Sequence, residues 1–188
     1  GRLIAQYDGA GLAKLGPYDF KGNLRTSSRQ LWSDWTVTPD YTPIAAEDSA
    51  ADAETTISSS LTGETFTESR TFDALNRPKS ITAPDASEYI PTYNEASLLE
   101  AVHVKIQGAS TATTFVKNID YDAKGQRTRI EYSEVSGNAP FKTEYFYDPL
   151  TFRLKRLLST RSADSAVLQD LEYSFDPVAN IVRITDGA

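Results

Sequence analysis

The stretch Tyr121-Asp122-Ala123-Lys124-Gly125-Gln126-Arg127 decides how this chain folds. Its centre has the chemistry of a tight turn. A type I turn favours Asp or Asn at its first position and Gly at its fourth, which Asp122 and Gly125 supply. The Asp carboxylate accepts a backbone amide two residues on and holds the turn closed. Gly takes positive φ at no steric cost and so starts the bulge that suits a right-twisted ribbon. Outward from the turn the residues alternate. In Phe115-Val116-Lys117-Asn118-Ile119-Asp120-Tyr121 the odd positions are mostly apolar, and Thr128-Arg129-Ile130-Glu131-Tyr132 alternates again. Period two is the signature of a strand, so the stretch reads as the tip of a β-hairpin.

The same unit recurs, and a missed repeat would misassign the fold. Tyr18-Asp19-Phe20-Lys21-Gly22-Asn23-Leu24 is a second copy. Phe72-Asp73-Ala74-Leu75-Asn76-Arg77-Pro78 has Asn in place of Gly, and Phe175-Asp176-Pro177-Val178-Ala179-Asn180-Ile181 has Ala. Tyr147-Asp148-Pro149-Leu150-Thr151-Phe152-Arg153 is looser, with Thr151 at the Gly place, and Tyr93-Asn94-Glu95-Ala96-Ser97-Leu98 is the weakest. The Asp or Asn falls at 19, 73, 94, 122, 148 and 176, in steps of 54, 21, 28, 26 and 28. The first step is about twice the others, so a unit there is either degenerate or replaced by an insertion. The period leaves room for paired strands of roughly 8 to 10 residues each. On this reading the aspartates form turns; they are not ligands or bases.

Composition agrees with a β-rich chain. Ten Tyr and eight Phe favour strands, and 188 residues suffice for one ordinary domain with a real core. A net charge of −7 argues against a nucleic-acid partner, which needs a basic face. The richest basic run, Arg153, Lys155, Arg156 and Arg161, alternates with Leu154, Leu157 and Leu158 and reads as a solvated strand face. The absence of Cys excludes a disulfide framework and thiolate metal sites. No apolar run reaches the length of a membrane-spanning helix, so membrane insertion by this segment is not expected. Gly1-Arg2-Leu3 is followed by no apolar segment of the signal-peptide kind.

One segment departs from the pattern. Residues 44–63 are acidic and Ala-rich, then Ser/Thr-rich, with room for one short helix near 45–54. The expected organisation is hairpin repeats over 1–43, an insertion or loop over 44–63, and hairpin repeats over 64–188. The insertion is either a mobile loop or a lid or partner contact. Trp32, Trp35 and Tyr41 precede it. They belong either to the core or to an exposed aromatic platform.

Residues for chemistry are scarce. His103, the single histidine, lies in an alternating strand and cannot build a zinc site without converging carboxylates. There is no Gly-x-Ser-x-Gly elbow, phosphate-binding Gly loop or His-Glu-x-x-His. The 26 carboxylates include no pair that stands out from the turn set as a glycosidase pair would. The expectation is therefore no enzyme, with no catalytic, cofactor-binding or metal residues and no cofactor.

Six ordered Tyr-Asp-like units at this spacing resemble the RHS (YD-repeat) family. The units around Asp19, Asp73, Asn94, Asp122, Asp148 and Asp176 look most like the RHS region of a bacterial insecticidal Tc toxin B component or a related RHS toxin. The match covers most of the chain outside 44–63. Ala179 and Thr151 depart from the usual Gly, and Gly1-Arg2-Leu3 is itself similar to the tail of a unit. The resemblance implies long antiparallel hairpins in a curved open sheet, part of a hollow shell. It implies a secreted toxin whose shell encloses a toxic C-terminal cargo before delivery. The partners so implied are flanking RHS repeats of the parent and the toxin C component or cargo. Exposed edge strands would let the isolated fragment self-associate. The family's self-cleaving aspartyl protease site lies in a C-terminal core that does not appear in this chain, and its activity does not transfer. The alternative is an extracellular carbohydrate- or protein-binding YD-repeat module of a cell-surface protein.

Overall fold

A computed structural model describes residues 1–134, 137 and 139–188. The chain opens with β1 (Ala5–Asp8), β2 (Gly11–Leu15) and β3 (Thr26–Leu31). Helix α1 (Ala50–Ile57) follows. Then come β4 (Phe66–Phe72), β5 (Pro78–Thr82), β6 (Glu88–Tyr93), β7 (Leu99–Lys105) and β8 (Thr113–Tyr121). β9 (Arg127–Tyr132), β10 (Phe141–Tyr147), β11 (Leu154–Arg161), β12 (Val167–Phe175) and β13 (Ile181–Asp186) complete it. Strand order in the sheet follows chain order from β1 to β13. The chain is thus the all-β array of antiparallel hairpins in an open sheet that its repeats predict. The chain divides into two compact units, Gly1–Glu88 and Tyr89–Ala188.

Strands are shorter than the repeat period suggests. Among the described residues only β8, β11 and β12 reach 8 or 9 residues. The reason lies at the edge away from the Tyr-Asp turns, where wide connections such as 106–112 use up chain.

The second unit does not build an ordinary core, contrary to the expectation from length. Its buried hydrophobic residues are Ala101, Val104, Ile119 and Ile130. Its registers show why this suffices. Ile119 faces Ile130, Ile130 faces Thr143, and Thr143 faces Ser159, in one cross-strand row. Thr143 and Ser159 are both buried, and their hydroxyls bond each other at 2.9 Å, so neither is left unsatisfied. Tyr145, Leu157 and Leu171 form a second row on the same face. The opposite face is charged: Asp120 faces Arg129, Arg129 faces Glu144, and Arg156 faces Glu172. Cross-strand pairs of this kind are the unit of sheet stability.

The first unit gains a local core from the inserted segment. Ser49 caps α1 by accepting the Asp52 amide at 3.2 Å, and Asp52 places a carboxylate in the first turn, where the helix dipole favours it. Ala53 and Ile57, one turn apart, are the buried positions of the helix. Leu12, Ile57 and Leu61 form a buried cluster, with Ala5, Tyr7, Trp32, Tyr41 and Ile44 packed against it. Each fully buried aliphatic side chain stabilises by ~1.5–3 kcal/mol. The segment is therefore folded onto β1 and β2 and is no loose loop. Lys14 Nζ on β2 also donates to Glu54 Oε1 on α1 at 2.8 Å.

Candidate functional site

The repeated turn is the element from which any role must be built. In the copy at Asp122, the Gly125 amide donates to the Asp122 carbonyl at 3.0 Å, and the Asp122 amide donates to the Gln126 carbonyl at 2.9 Å. One carboxylate oxygen of Asp122 accepts the amides of Lys124 and Gln126, both at 2.9 Å. The same pattern recurs at Asp19, Asp73 and Asp176. The fourth residue has positive φ in each: Gly22 97°, Asn76 63°, Gly125 79° and Ala179 76°. At Asn94 the same role falls to Ser97, φ 64°.

Two details differ from the sequence reading. Thr151 does not occupy the Gly position of its unit. That turn is one residue longer, so the positive φ of 58° falls on Phe152, whose amide donates to the Asp148 carbonyl at 2.8 Å. A further turn, Ala83-Pro84-Asp85-Ala86, lacks the Asp at its first position. Its Asp sits third, with Ala83 in the first position, and Ala86 takes φ 64°.

The turns also join neighbouring hairpins. Tyr121 Oη on β8 donates to the Leu99 carbonyl on β7 at 2.6 Å. Tyr147 Oη on β10 donates to the Arg127 carbonyl on β9 at 2.9 Å. In both cases the acceptor is the first residue after the preceding turn closes. Tyr18 Oη meets the Leu3 carbonyl at 2.6 Å in the same way. The tyrosine of the unit is thus a lateral staple. Closing residues reach sideways too. Arg153 Nη1 donates to the Asp176 carbonyl at 3.1 Å with its guanidinium over the Phe175 ring. Arg2 does the same to the Asp19 carbonyl, at 3.0 Å, over Tyr18. Gln126 Nε2 reaches the Phe152 carbonyl at 2.9 Å, and Lys21 Nζ the Ala74 carbonyl at 2.6 Å.

The electrostatics fit scaffolding. The Asn23 and Asn180 side-chain amides hold Asp19 and Asp176 below the usual carboxylate range. The Arg77 and Thr151 backbone amides do so for Asp73 and Asp148. Asp8 falls to about 2, chiefly through the Arg29 guanidinium, whose Nη1 lies 2.9 Å from Asp8 Oδ2. Among the described residues, the carboxylates moved from their ordinary value are moved downward, whereas a general acid at neutral pH needs a raised value.

The remaining candidates are absorbed into the fabric of the fold. His103 Nδ1 lies 2.9 Å from Thr114 Oγ1, its cross-strand partner. Arg156 makes a two-pronged pair with Asp170 at 2.6 and 2.7 Å, and Arg161 pairs with Asp164 at 3.0 Å. Trp32 packs edge-on against Tyr41 at 5.5 Å between centroids, and Tyr41 Oη donates to the Asp8 carbonyl at 2.6 Å. Trp35 is different: it is 90% exposed.

No family model matches the chain. Two curated relatives do, both from Yersinia entomophaga. Toxin subunit YenC2 is 29% identical over all of this chain and 19% of its own length. Toxin subunit YenC1 is 33% identical over 68% of this chain and 13% of its own. The crystal structure of TcdB2-TccC3-Cdc42 superposes with a TM-score of 0.81 at 30% identity, covering 100% of this chain and 8% of that one. The Photorhabdus luminescens Tc holotoxin pore gives a TM-score of 0.81 at 31% identity, with the same coverage. The chain thus spans less than a fifth of the length of these relatives. The repeat units, the hairpin array they build and these likenesses agree, and the chain belongs to the RHS, or YD-repeat, proteins of bacterial toxin complexes.

Proposed function

We propose that this chain is a non-catalytic wall segment of the hollow shell of a secreted bacterial toxin, and that the parent shell encloses a toxic C-terminal cargo until delivery. The observation that carries the reading is the lateral stapling of successive turns. Tyrosine hydroxyls tie the hairpins with turns at Asn94, Asp122 and Asp148 in succession, Arg153 and Lys21 reach the turns at Asp176 and Asp73, and among the described residues of the turn row no residue set is left over for chemistry. Such an array makes surface, and its stability is a sum of nearest-neighbour terms. The names of the curated relatives favour a C-type subunit as the parent over the B component, and flanking repeats and the cargo as partners.

The alternative, a binding module on Trp32, Trp35 and Tyr41, loses its platform. Two of the three rings are engaged with each other, and Tyr41 also with Tyr7 at 5.6 Å.

The test uses the intact parent subunit. Limited proteolysis of the wild type leaves the cargo protected, and the pair Asp122→Ala with Asp148→Ala, which loosens adjacent turns, speeds its digestion. Cargo digested equally fast in the wild type, or equally protected after the turns are loosened, refutes enclosure by this wall.

A further inference from the structure

The Asp turns carry apolar side chains that their own hairpins do not use. Phe20 is 90% exposed, Leu150 86%, Val178 77% and Leu75 64%. All four occupy the second or third position of a turn that begins with Asp. Those positions accept most residues. The turn at Asp122 closes equally well with Ala123 and Lys124 there. The apolar choice therefore answers to something outside the turn, as contiguous exposed apolar groups generally do. Connections at the other ends of the strands differ: residues 9–10, 83–87 and 162–166 are all Gly, Ala, Pro, Ser or Asp.

Neighbouring tips stand side by side. In the first unit, Lys21 Nζ donates to the Ala74 carbonyl, and Asn23 Nδ2 donates to Asn76 Oδ1 at 3.0 Å. In the second, the turn at Asp148 is bonded to the turn at Asp122 through Gln126, and to the turn at Asp176 through Arg153. Between the tips at Asp122 and Asp148 lies a hollow of about 350 Å³, lined by Ala123, Lys124, Tyr147, Pro149 and Phe152. Asp122 and Asp148 border it too, but turn amides already bond their carboxylates. The turn edge of the second unit thus holds both apolar knobs and a hollow that takes one.

An edge of this make is complementary to another edge of the same make. Strands of at most 9 residues among the described ones form a band about 30 Å across. Such a band is open along both long edges, and a shell built from it closes only where edges meet. This chain covers 19% of YenC2, so a parent of that size has chain enough for further rows of turns.

We propose that the turn edge forms an apolar seam with a second row of Asp turns from the same parent array, the tips of each row entering the hollows of the other. The seam rests on the wall reading and supplies what closes the wall.

The test places the photocrosslinker p-benzoylphenylalanine at Leu150 of the intact parent subunit, with the exposed Ala163, at the other end of β11, as the control position. Irradiation is expected to join position 150 to an Asp turn distant in the same polypeptide, at unchanged subunit mass, and to join position 163 to none. The pair Leu150→Asp with Val178→Asp puts charge into the seam and speeds tryptic digestion of the cargo severalfold. Amides of β10 to β13 keep their exchange protection in that variant, because both side chains are exposed on their own hairpins. A crosslink from position 150 to a second subunit or to lipid, or none above that at position 163, overturns the seam. Cargo digestion unchanged by Leu150→Asp with Val178→Asp also overturns it. Cargo digested at full speed in the unmodified subunit refutes the wall itself, and the seam with it.

Discussion

Tyr121→Phe tests the stapling directly. The change removes one hydroxyl and leaves ring and strand in place. The lost bond is short, 2.6 Å, and part-buried, and its acceptor is the Leu99 carbonyl on the neighbouring hairpin. A net hydrogen bond of this kind contributes ~0.5–1.5 kcal/mol, and the carbonyl left behind adds to the loss if water reaches it poorly. A cost of about 1–1.5 kcal/mol follows, or a Tm lower by about 2–6 °C for a chain of this size. Tyr147→Phe removes a longer, exposed bond of 2.9 Å and should cost less, ~0.5 kcal/mol. Urea unfolding of the 188-residue chain gives the magnitudes, with an unchanged m-value as the check on the unfolding transition. Hydrogen exchange gives the location: amides of β7 and β8 should lose protection, while those of β12 and β13 keep theirs. Equal and negligible effects at both tyrosines, or a loss of protection spread evenly over the second unit, would refute lateral stapling by these hydroxyls.

Three further outcomes follow from the same geometry. Ala179→Gly removes the strain of a side chain at φ 76° and should raise stability by ~0.5–1 kcal/mol, read as a higher Tm. Ile57→Ala empties the centre of the insertion's cluster, where Ile57 is 3% exposed, and should cost ~2–4 kcal/mol in urea unfolding, with exchange protection lost in the first unit alone. Acidification should weaken the fold. Asp8 has a folded pKa of about 2 against 3.8, so its pair with Arg29 stabilises fully above about pH 4 and is lost as pH falls toward 2. Asp19, Asp73, Asp148 and Asp176 are lowered too and act in the same direction. A Tm independent of pH over that window would contradict this, and Asp8→Asn should flatten the profile.

The turns were legible because their chemistry is local. An Asp followed three residues later by Gly or Asn specifies the backbone whatever surrounds it, and three of the six units, at Asp19, Asp73 and Asp122, carry that pattern in full. The steps between them were legible only in part: β3 pairs directly with β4 across the step of 54, and the step of 21 contains the further turn at Ala83. Other features depend on contacts between distant residues. Nothing near Tyr121 in sequence points to Leu99. Nothing in the dense run from Trp32 to Pro43 separates Trp32, packed on Tyr41, from Trp35, left outside. The Ala83 turn was hidden because Asp85 acts from the third position, bonding the Ser87 amide at 2.9 Å. The extra residue at Phe152 was hidden because Asp148 still reaches the Leu150 and Thr151 amides. Core size does not follow from length: an ordinary domain of this length stacks layers, whereas the second unit of this array packs rows of cross-strand neighbours on one face of its strands.

The central claim is that these residues are wall. A cryo-electron microscopy map of the intact parent subunit tests it most directly. The account predicts β1 and β13 each hydrogen-bonded to a further hairpin of one continuous sheet, the Tyr121 and Tyr147 staples in place, and the sheet enclosing a lumen that holds the cargo. A map in which the same residues close on themselves as a separate domain, apart from any shell, would contradict it.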